Sequence, residues 1–311
     1  MRIAVVGSYG VGLTMRAERV PAAGETLTDG VFSAGHGGKG SNQAVAAARL
    51  GASVALLTAV GPDQFGTGAG ELWHEHGIAA DKVVVGQSAT MVGVILVDSD
   101  GENRIVIAPG ALAELTPAHV DAFEPEIAAA DVLVTGFEIP VPVAARALQL
   151  ARDHGVRTLL NPAPAVPVEA GLWPLVDVIT PNENEAAAIT GEPGLHSPDE
   201  CADALRRHFD GVIVVTLGAA GCLLDEPGRG RVLVPAVRPR RVVDTTGAGD
   251  AFTGALAVAL ARGDEPAQAV TYAAAAGAHS VGVAEVIPSL PGPDDITRLL
   301  ARSRPNPKGT P

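Results

Sequence analysis

The chain has 311 residues, 47% hydrophobic and 3% aromatic, with 22 Lys and Arg against 35 Asp and Glu for a net charge of −13. That length allows one large domain or two moderate ones, with a core filled by Ala, Val and Leu. The acidic balance repels nucleic acid and anionic membrane, so neither is an expected partner; a free nucleotide can still bind where backbone N–H groups and a metal outweigh distant surface charge.

The chain opens Met1-Arg-Ile-Ala-Val-Val-Gly7, one basic residue and a short apolar run. It lacks the length and small-residue cleavage site of a signal peptide and reads as a buried strand over 2–6. Residues 13–35 are polar and Gly-rich, with no helical period. Gly35-His-Gly-Gly-Lys-Gly-Ser-Asn42 then leads into a helix over 41–50 that Gly51 stops. This is not a P-loop, because Lys39 is followed by Gly40 rather than Ser or Thr. Gly37 and Gly38 suit close backbone approach to a polar ligand, with Lys39 and Asn42 as donors; Asn42 as a simple helix cap is the alternative.

A strand over 53–60 and a helix over 66–77 come next. Residues 91–97 and 103–108 read as a hairpin around Asp98-Ser-Asp-Gly-Glu102. With 13–35 it would form a small accessory sheet, either a lid or an ordinary edge extension. Strands over 132–135, 157–161, 176–180 and 212–216 alternate with helices over 117–129, 141–154, 183–190 and 198–208. Such alternation predicts a three-layer, Rossmann-like, mostly parallel α/β sheet with helices on both faces and ligands at the carboxyl ends of the strands.

Several polar groups fall at those ends. Glu138, just past the strand at 132–135, is placed to accept bonds from sugar hydroxyls or else is a solvated loop residue. Thr180-Pro-Asn-Glu-Asn-Glu185 offers hard oxygen ligands in Asn182, Glu183 and Glu185, suited to Mg²⁺ through water; an acidic cluster favoured by a helix dipole is the alternative. Thr216-Leu-Gly-Ala-Ala-Gly221 ends a strand with a flexible turn, where Thr216, Gly218 and Gly221 can lie along a nucleotide.

Asp244-Thr-Thr-Gly-Ala-Gly-Asp250 is the most informative stretch, followed at once by an apolar helical run over 251–260. It puts the free N–H groups of Gly247, Ala248 and Gly249 at a helix N-terminus and Asp250 in the first turn. An anion pocket beside a carboxylate base is the minimum apparatus for moving a phosphoryl group onto a hydroxyl. Capping by Asp250 is the plainer reading of that residue alone. No Gly-x-Gly-x-x-Gly closes, since Phe252 takes the third place, which argues against a dinucleotide dehydrogenase.

The Ala-rich segment at 269–284 is interrupted by Tyr272 and His279, and no apolar stretch approaches the ~18 residues of a membrane span. Cys201 and Cys222 have no zinc spacing and make no disulfide framework, which points to the reduced cytoplasm. The tail from Ser303 is Pro-rich and polar and is expected to be disordered. One domain over 1–302 is expected.

Four segments in this order, Gly37-Gly-Lys-Gly-Ser-Asn-Gln-Ala44, Asn161-Pro-Ala-Pro164, Thr180-Pro-Asn-Glu-Asn-Glu185 and Asp244-Thr-Thr-Gly-Ala-Gly-Asp250, resemble the ribokinase-like (PfkB) carbohydrate kinases. The likeness runs from Val5-Val-Gly-Ser8 to Pro288-Ser-Leu-Pro291 and is strongest to the ribokinase branch. It implies that the domain is an ATP-dependent kinase, with lid segments at 13–35 and 91–108, acting on a primary hydroxyl of a small sugar, ribose or a related pentose or polyol. Asp250 would be the base, and Gly247, Ala248 and Gly249 the phosphoryl-stabilising amides. Asn182 and Glu185 would organise Mg²⁺ and the phosphates, with Thr216 to Gly221 beside the nucleotide. Gly38, Lys39, Asn42 and Glu138 would hold the sugar. Asp244 and the Thr246 carbonyl would bind a monovalent cation, K⁺, and the chain would dimerise through its lid.

Two departures from the family pattern stand out. Gly10 and Gly12, in Gly7-Ser-Tyr-Gly-Val-Gly12, replace the Asn and Asp that grip sugar hydroxyls, so Tyr9 or a lid residue would contact a differently shaped substrate. Glu285 or Val286 replaces a Gly of the cation loop. A nucleoside kinase and a non-catalytic sugar-binding regulator are the competing readings. Few aromatics argue against the first, and the intact Gly-Ala-Gly turn with Asp250 argues against the second.

Overall fold

The computed structural model describes residues 1–303. The rest of the tail expected to be disordered lies outside them, and Ser303 itself ends the last helix. The first half runs β1 (Arg2–Val6), β2 (Gly10–Arg16), β3 (Val31–Gly37), α1 (Lys39–Arg49), β4 (Ser53–Leu57), β5 (Ala59–Val60), α2 (Gln64–Glu75), β6 (Val84–Val85), β7 (Val92–Val97) and β8 (Asn103–Ala108). After α3 (Pro117–Asp121) and α4 (Glu124–Ala128) come β9 (Val132–Gly136), α5 (Val141–Asp153), β10 (Arg157–Asn161), β11 (Val178–Ile179), α6 (Glu183–Thr190), α7 (Pro198–Arg206) and β12 (Val212–Thr216). The hairpin β13 (Cys222–Glu226) and β14 (Gly230–Val234) and the helices α8 (Ala248–Arg262), α9 (Pro266–Ser280), α10 (Val286–Ser289) and α11 (Pro293–Ser303) complete it.

Eight strands form the central sheet in the order β14-β13-β12-β11-β10-β9-β1-β4. From β4 to β12 every pairing is parallel; β13 and β14 add an antiparallel edge. Runs such as Val132-Leu-Val-Thr and Val212-Ile-Val-Val are apolar at successive positions because both sheet faces are covered. One face packs on α1, α2, α8, α9 and α11, the other on α3 to α7, giving two hydrophobic cores.

A second sheet, β3-β2-β7-β8, stands apart. The strand pairing joins residues from the two segments expected to make an accessory sheet, with β2 and β3 antiparallel and β2 and β7 parallel. The strands of the first segment begin at Gly10 and end at Gly37, wider than the polar stretch at 13–35. Val31, Phe32, Ile105, Val106 and Ile107 on this sheet are exposed.

Local departures from the expected elements have physical causes. The single strand over 53–60 is two, because β5 leaves the central sheet to pair with β6. The single helix over 117–129 breaks into α3 and α4, where Pro125 would clash with the carbonyl four residues back. The strand over 176–180 shortens to β11.

At Gly254 in α8, an added Cβ would lie 2.6 Å from the Ala46 Cβ and 2.8 Å from the Gln43 carbonyl oxygen. Glycine there lets α8 rest directly on the backbone of α1. That contact brings the first turn of α8 against the first turn of α1, two segments some two hundred residues apart in sequence.

Candidate active site

The site forms at the carboxyl ends of the central strands, where β1, β9 and β10 end near the N-termini of α1 and α8. Asp250 sits in the first turn of α8 and is buried. Its Oδ2 accepts a hydrogen bond from Asn42 Nδ2 at 2.8 Å, and its Oδ1 accepts one from Gln43 Nε2 at 3.2 Å. Gln43 Nε2 also donates to Asn161 Oδ1 at 3.1 Å, linking α8 to the end of β10. Because a carboxylate only accepts, the amide of Asn42 must face Asp250 with its nitrogen. Its Oδ1 is then buried with no partner among the described residues, an acceptor left open.

Lys39 opens α1 after Gly38, whose φ of 86° is reserved for glycine; a Cβ there would meet Tyr9 Cα at 2.6 Å. Glu138, past the end of β9, accepts the Lys39 N–H at 2.8 Å on Oε2 and the Ser8 hydroxyl on the same oxygen. Burial works against the Lys39 ammonium, but the carboxylates of Asp250, Glu138 and Glu185 outweigh it and hold its pKa above the ordinary lysine value. Burial likewise lifts the Asp250 carboxyl; Lys39, Asn42 and Gln43 oppose this, Glu138 adds to it, and the net shift is upward. A carboxylate so placed is a stronger base than a solvated one.

The expected anion pocket lies at Gly247, the N-cap of α8, at φ 80°. The Ala248 N–H turns back to the Thr245 carbonyl at 3.3 Å, while no protein acceptor is recorded for the N–H groups of Gly247 and Gly249 among the described residues. The two are the more available donors of the three expected. Asp244 precedes the pocket: its Oδ1 accepts the Thr246 N–H at 2.9 Å and its Oδ2 the Glu285 N–H at 3.3 Å. Burial would raise the Asp244 pKa, but Thr246, the Glu285 N–H and nearby Arg16 hold it below the usual carboxylate range.

The expected nucleotide segments lie side by side. Thr216 N–H donates to the Pro181 carbonyl at 2.9 Å, and Asn182 bridges to Thr216. Asn182 and Glu185 form a reciprocal cap on α6: Asn182 Oδ1 accepts the Glu185 N–H and Glu185 Oε2 accepts the Asn182 N–H, both at 2.8 Å. Burial raises the Glu185 pKa against the Asn182 N–H and Lys39. Gly218 has open space around it, whereas a Cβ on Gly221 would meet the Val234 carbonyl oxygen at 2.1 Å. Gly221 is therefore set by the β13–β14 hairpin as much as by any ligand.

Two sequence expectations need correction. Tyr9 is fully buried, edge-on to Trp73, and its hydroxyl bonds His36 Nδ1 at 2.8 Å, so it is core rather than a substrate contact. Gly10 and Gly12 are not equivalent: a Cβ on Gly10 would meet Met91 Cε at 2.4 Å, so that space is filled, whereas Gly12 has room. Sequence reading also passed over Gln43, Ser8 and Asn161 as site residues. All three lay inside quoted segments, Ser8 in Gly7-Ser-Tyr-Gly-Val-Gly12, which was the available signal.

A family model described as "pfkB family carbohydrate kinase" matches residues 2–293. The ribokinase of Schizosaccharomyces pombe is 36% identical over 306 residues, covering 93% of this chain and 96% of that protein. The bifunctional ribokinase/ribose-5-phosphate isomerase A of Fructilactobacillus sanfranciscensis is 36% identical over 304 residues, 96% of this chain; the chain spans 56% of that longer protein. Among solved structures, Arabidopsis thaliana ribokinase complexed with ribose and ATP superposes with a TM-score of 0.89 at 29% identity, covering 96% of this chain and 98% of the other.

Proposed function

The chain belongs to the pfkB family of carbohydrate kinases, and on that premise we propose how its residues divide the work of an ATP-dependent sugar kinase. The acceptor is a primary hydroxyl of a small sugar, ribose or a related pentose or polyol. Asp250 removes the proton from that hydroxyl as it attacks the γ-phosphorus of ATP, and ADP leaves. The N–H groups of Gly247 and Gly249, with that of Ala248, stabilise the charge on the transferring group. Asn42 Oδ1, Lys39, Gly38 and Glu138 hold the sugar, and the free acceptor on Asn42 fits a sugar hydroxyl. The nucleotide lies along Thr216, Gly218 and Gly221 beside Asn182.

The residues present fit the two cations the family implies. Glu185 commits Oε2 to its cap and keeps its other oxygen, and no group of three or more His, Cys, Asp and Glu capable of holding a metal occurs among the described residues. One carboxylate with Asn182 suits a Mg²⁺ that keeps water and phosphate ligands. Bound there, it would neutralise phosphate charge. Asp244, kept ionised, with the Thr246 carbonyl suits K⁺ beside the pocket.

The small sheet serves as the lid, and its exposed Val31, Phe32 and Val106 support a homodimer through it. Sedimentation of Val106→Asp against the parent checks this: the variant should shift toward monomer, and an unchanged distribution removes the lid interface. The two free, buried cysteines suit the cytoplasm. No helix among the described residues is long and apolar enough to cross a membrane.

The observation that carries the reading is the buried Asp250 held by Asn42 and Gln43 next to unpaired amides. ADP release measured against pentoses, hexoses, polyols and nucleosides, with and without potassium, tests it. Turnover with a pentose or polyol is expected. Tight binding of one sugar with no turnover on any acceptor would instead mark a regulator.

A further inference from the structure

Strand period puts Gly10, Gly12, Thr14 and Arg16 on one face of the small sheet and Val11, Leu13 and Met15 on the other. Val11 is buried in the core with Tyr9 and Trp73, and Leu13 packs against it. The Gly12 face is therefore turned away from that core, and Arg16 on it bears electrostatically on Asp244 at the anion pocket. The same strands run directly into the site, since Gly10 pairs with Gly37, just before Gly38 and Lys39.

One strand repeat further out, about 7 Å along the sheet, Gly12 pairs with Gly35 on one side and Gly93 on the other. Three adjacent strands thus present glycine in register on this face. A Cβ on Gly35 would meet nothing within 4 Å; on Gly12 the nearest atom would be Ile95 Cδ1 at 3.6 Å, and on Gly93 Ile107 Cγ1 at 3.9 Å. None of the three glycines is demanded by packing, and none has a positive φ. Ile95 and Ile107 flank the row, and the first polar side chains on this face, Thr14 and its partner Ser33, lie a further repeat away. The polar grip on a ligand comes from one end only, that of Asp250, Asn42, Lys39 and Glu138.

We propose that Gly12, Gly35 and Gly93 form a bare, apolar slot that selects a pentose presenting hydrogen or an apolar substituent, rather than hydroxyls, on the side away from its primary alcohol. The inference rests on the sugar-kinase reading above and narrows its substrate class. A hydroxyl driven against this row loses water and finds no side-chain partner, whereas hydrogen or a methyl group loses nothing.

Ribose, 2-deoxyribose and methyl riboside can be compared on the parent, Gly12→Asp and Gly12→Ala, by calorimetric binding without ATP and by ADP release. The parent should favour 2-deoxyribose or methyl riboside over ribose in kcat/KM. Gly12→Asp should move that ratio toward ribose by about tenfold or more. Gly12→Ala, whose added carbon makes only ordinary contact, should weaken methyl riboside and spare ribose, and it decides the matter if the Asp variant fails to fold. A parent that prefers ribose to both analogues, or ratios unmoved by the variants, overturns the slot. Binding of the analogues without phosphoryl transfer would overturn the kinase reading while leaving the slot in place.

Discussion

Asp250 is buried and receives hydrogen bonds from two side chains of another helix, whereas Ile105, Val106 and Ile107 on the small sheet are each more than half exposed. The central-sheet end holds its groups through contacts between α1, α8, β9 and β10, each wedged against a core. The small sheet carries few such contacts, and glycines stand in register on three of its strands. On the proposed reading, chemistry that needs fixed geometry falls to the first region and choice among acceptors to the second. The difference can be broken at either place.

The largest effect should come from Asp250→Asn. General-base loss should lower kcat by about 10²- to 10⁴-fold with little change in ATP affinity. Near-normal turnover would remove Asp250 from the role of base. As the proposed base, Asp250 should also set the acid limb of the pH profile. The base acts ionised, and burial raises its pKa in the folded protein. Activity should therefore fade, as pH is lowered, at a higher pH than an ordinary Asp would give. The stability sign runs the other way: a raised folded-state pKa favours the protonated form, so Asp250 costs stability as pH rises through that value. An acid limb at the ordinary aspartate pKa would show that the carboxyl is solvated in the working enzyme.

Next in size is a pair of glycine substitutions that sets the two regions against each other. Gly254→Ala drives a Cβ to 2.6 Å from Ala46 and 2.8 Å from the Gln43 carbonyl. Parting α8 from α1 should cost about 1–3 kcal/mol in urea unfolding and also lower kcat, because Gln43 moves off Asp250. Gly35→Ala, with nothing within 4 Å, should leave stability unchanged or slightly raised. Equal effects from the two would mean that the small sheet is as tightly packed as the core.

What the sequence made legible follows the same division. β1, β10 and β12 were read to the residue because an apolar run buried on both faces needs no partner information. The acidic start of α6 was visible because it is local, but its reciprocal cap between Asn182 and Glu185 was not read. The β13–β14 hairpin went unread, since Arg229-Gly-Arg-Val-Leu lacks the apolar density of a central strand. The partnership of Asn42 and Gln43 with Asp250 could be guessed only from motifs, because it spans 207 and 208 residues. The glycine row required the register of β2 against β3 and β7, including a parallel pairing that no hairpin signal announces. Tyr9 looked available because Gly10 and Gly12 beyond it carry no side chain; its burial against Trp73 shows it to be core.

The smallest effect is expected between the two regions, where α10 packs close to β3 and Glu285 is its N-cap. The structure assigns Glu285, rather than Val286, to the place where the family resemblance implied glycine. Its φ of 67° and ψ of 156° fall in a region that side chains avoid, and it is the only non-glycine residue with positive φ among those described. Such a conformation costs on the order of 1–3 kcal/mol. Glycine would relieve it but gain freedom in the unfolded chain, returning about 0.4–1 kcal/mol. Glu285→Gly should then stabilise the fold by about 1 kcal/mol. The bond to Asp244 Oδ2 is donated by the backbone N–H of residue 285 and survives the change. Glu285→Ala removes the same carboxylate while keeping a Cβ, so it should bring no comparable gain. If the alanine variant is stabilised as much as the glycine one, the cost lies in placing a second carboxylate near Asp244, and the backbone at this junction is not strained.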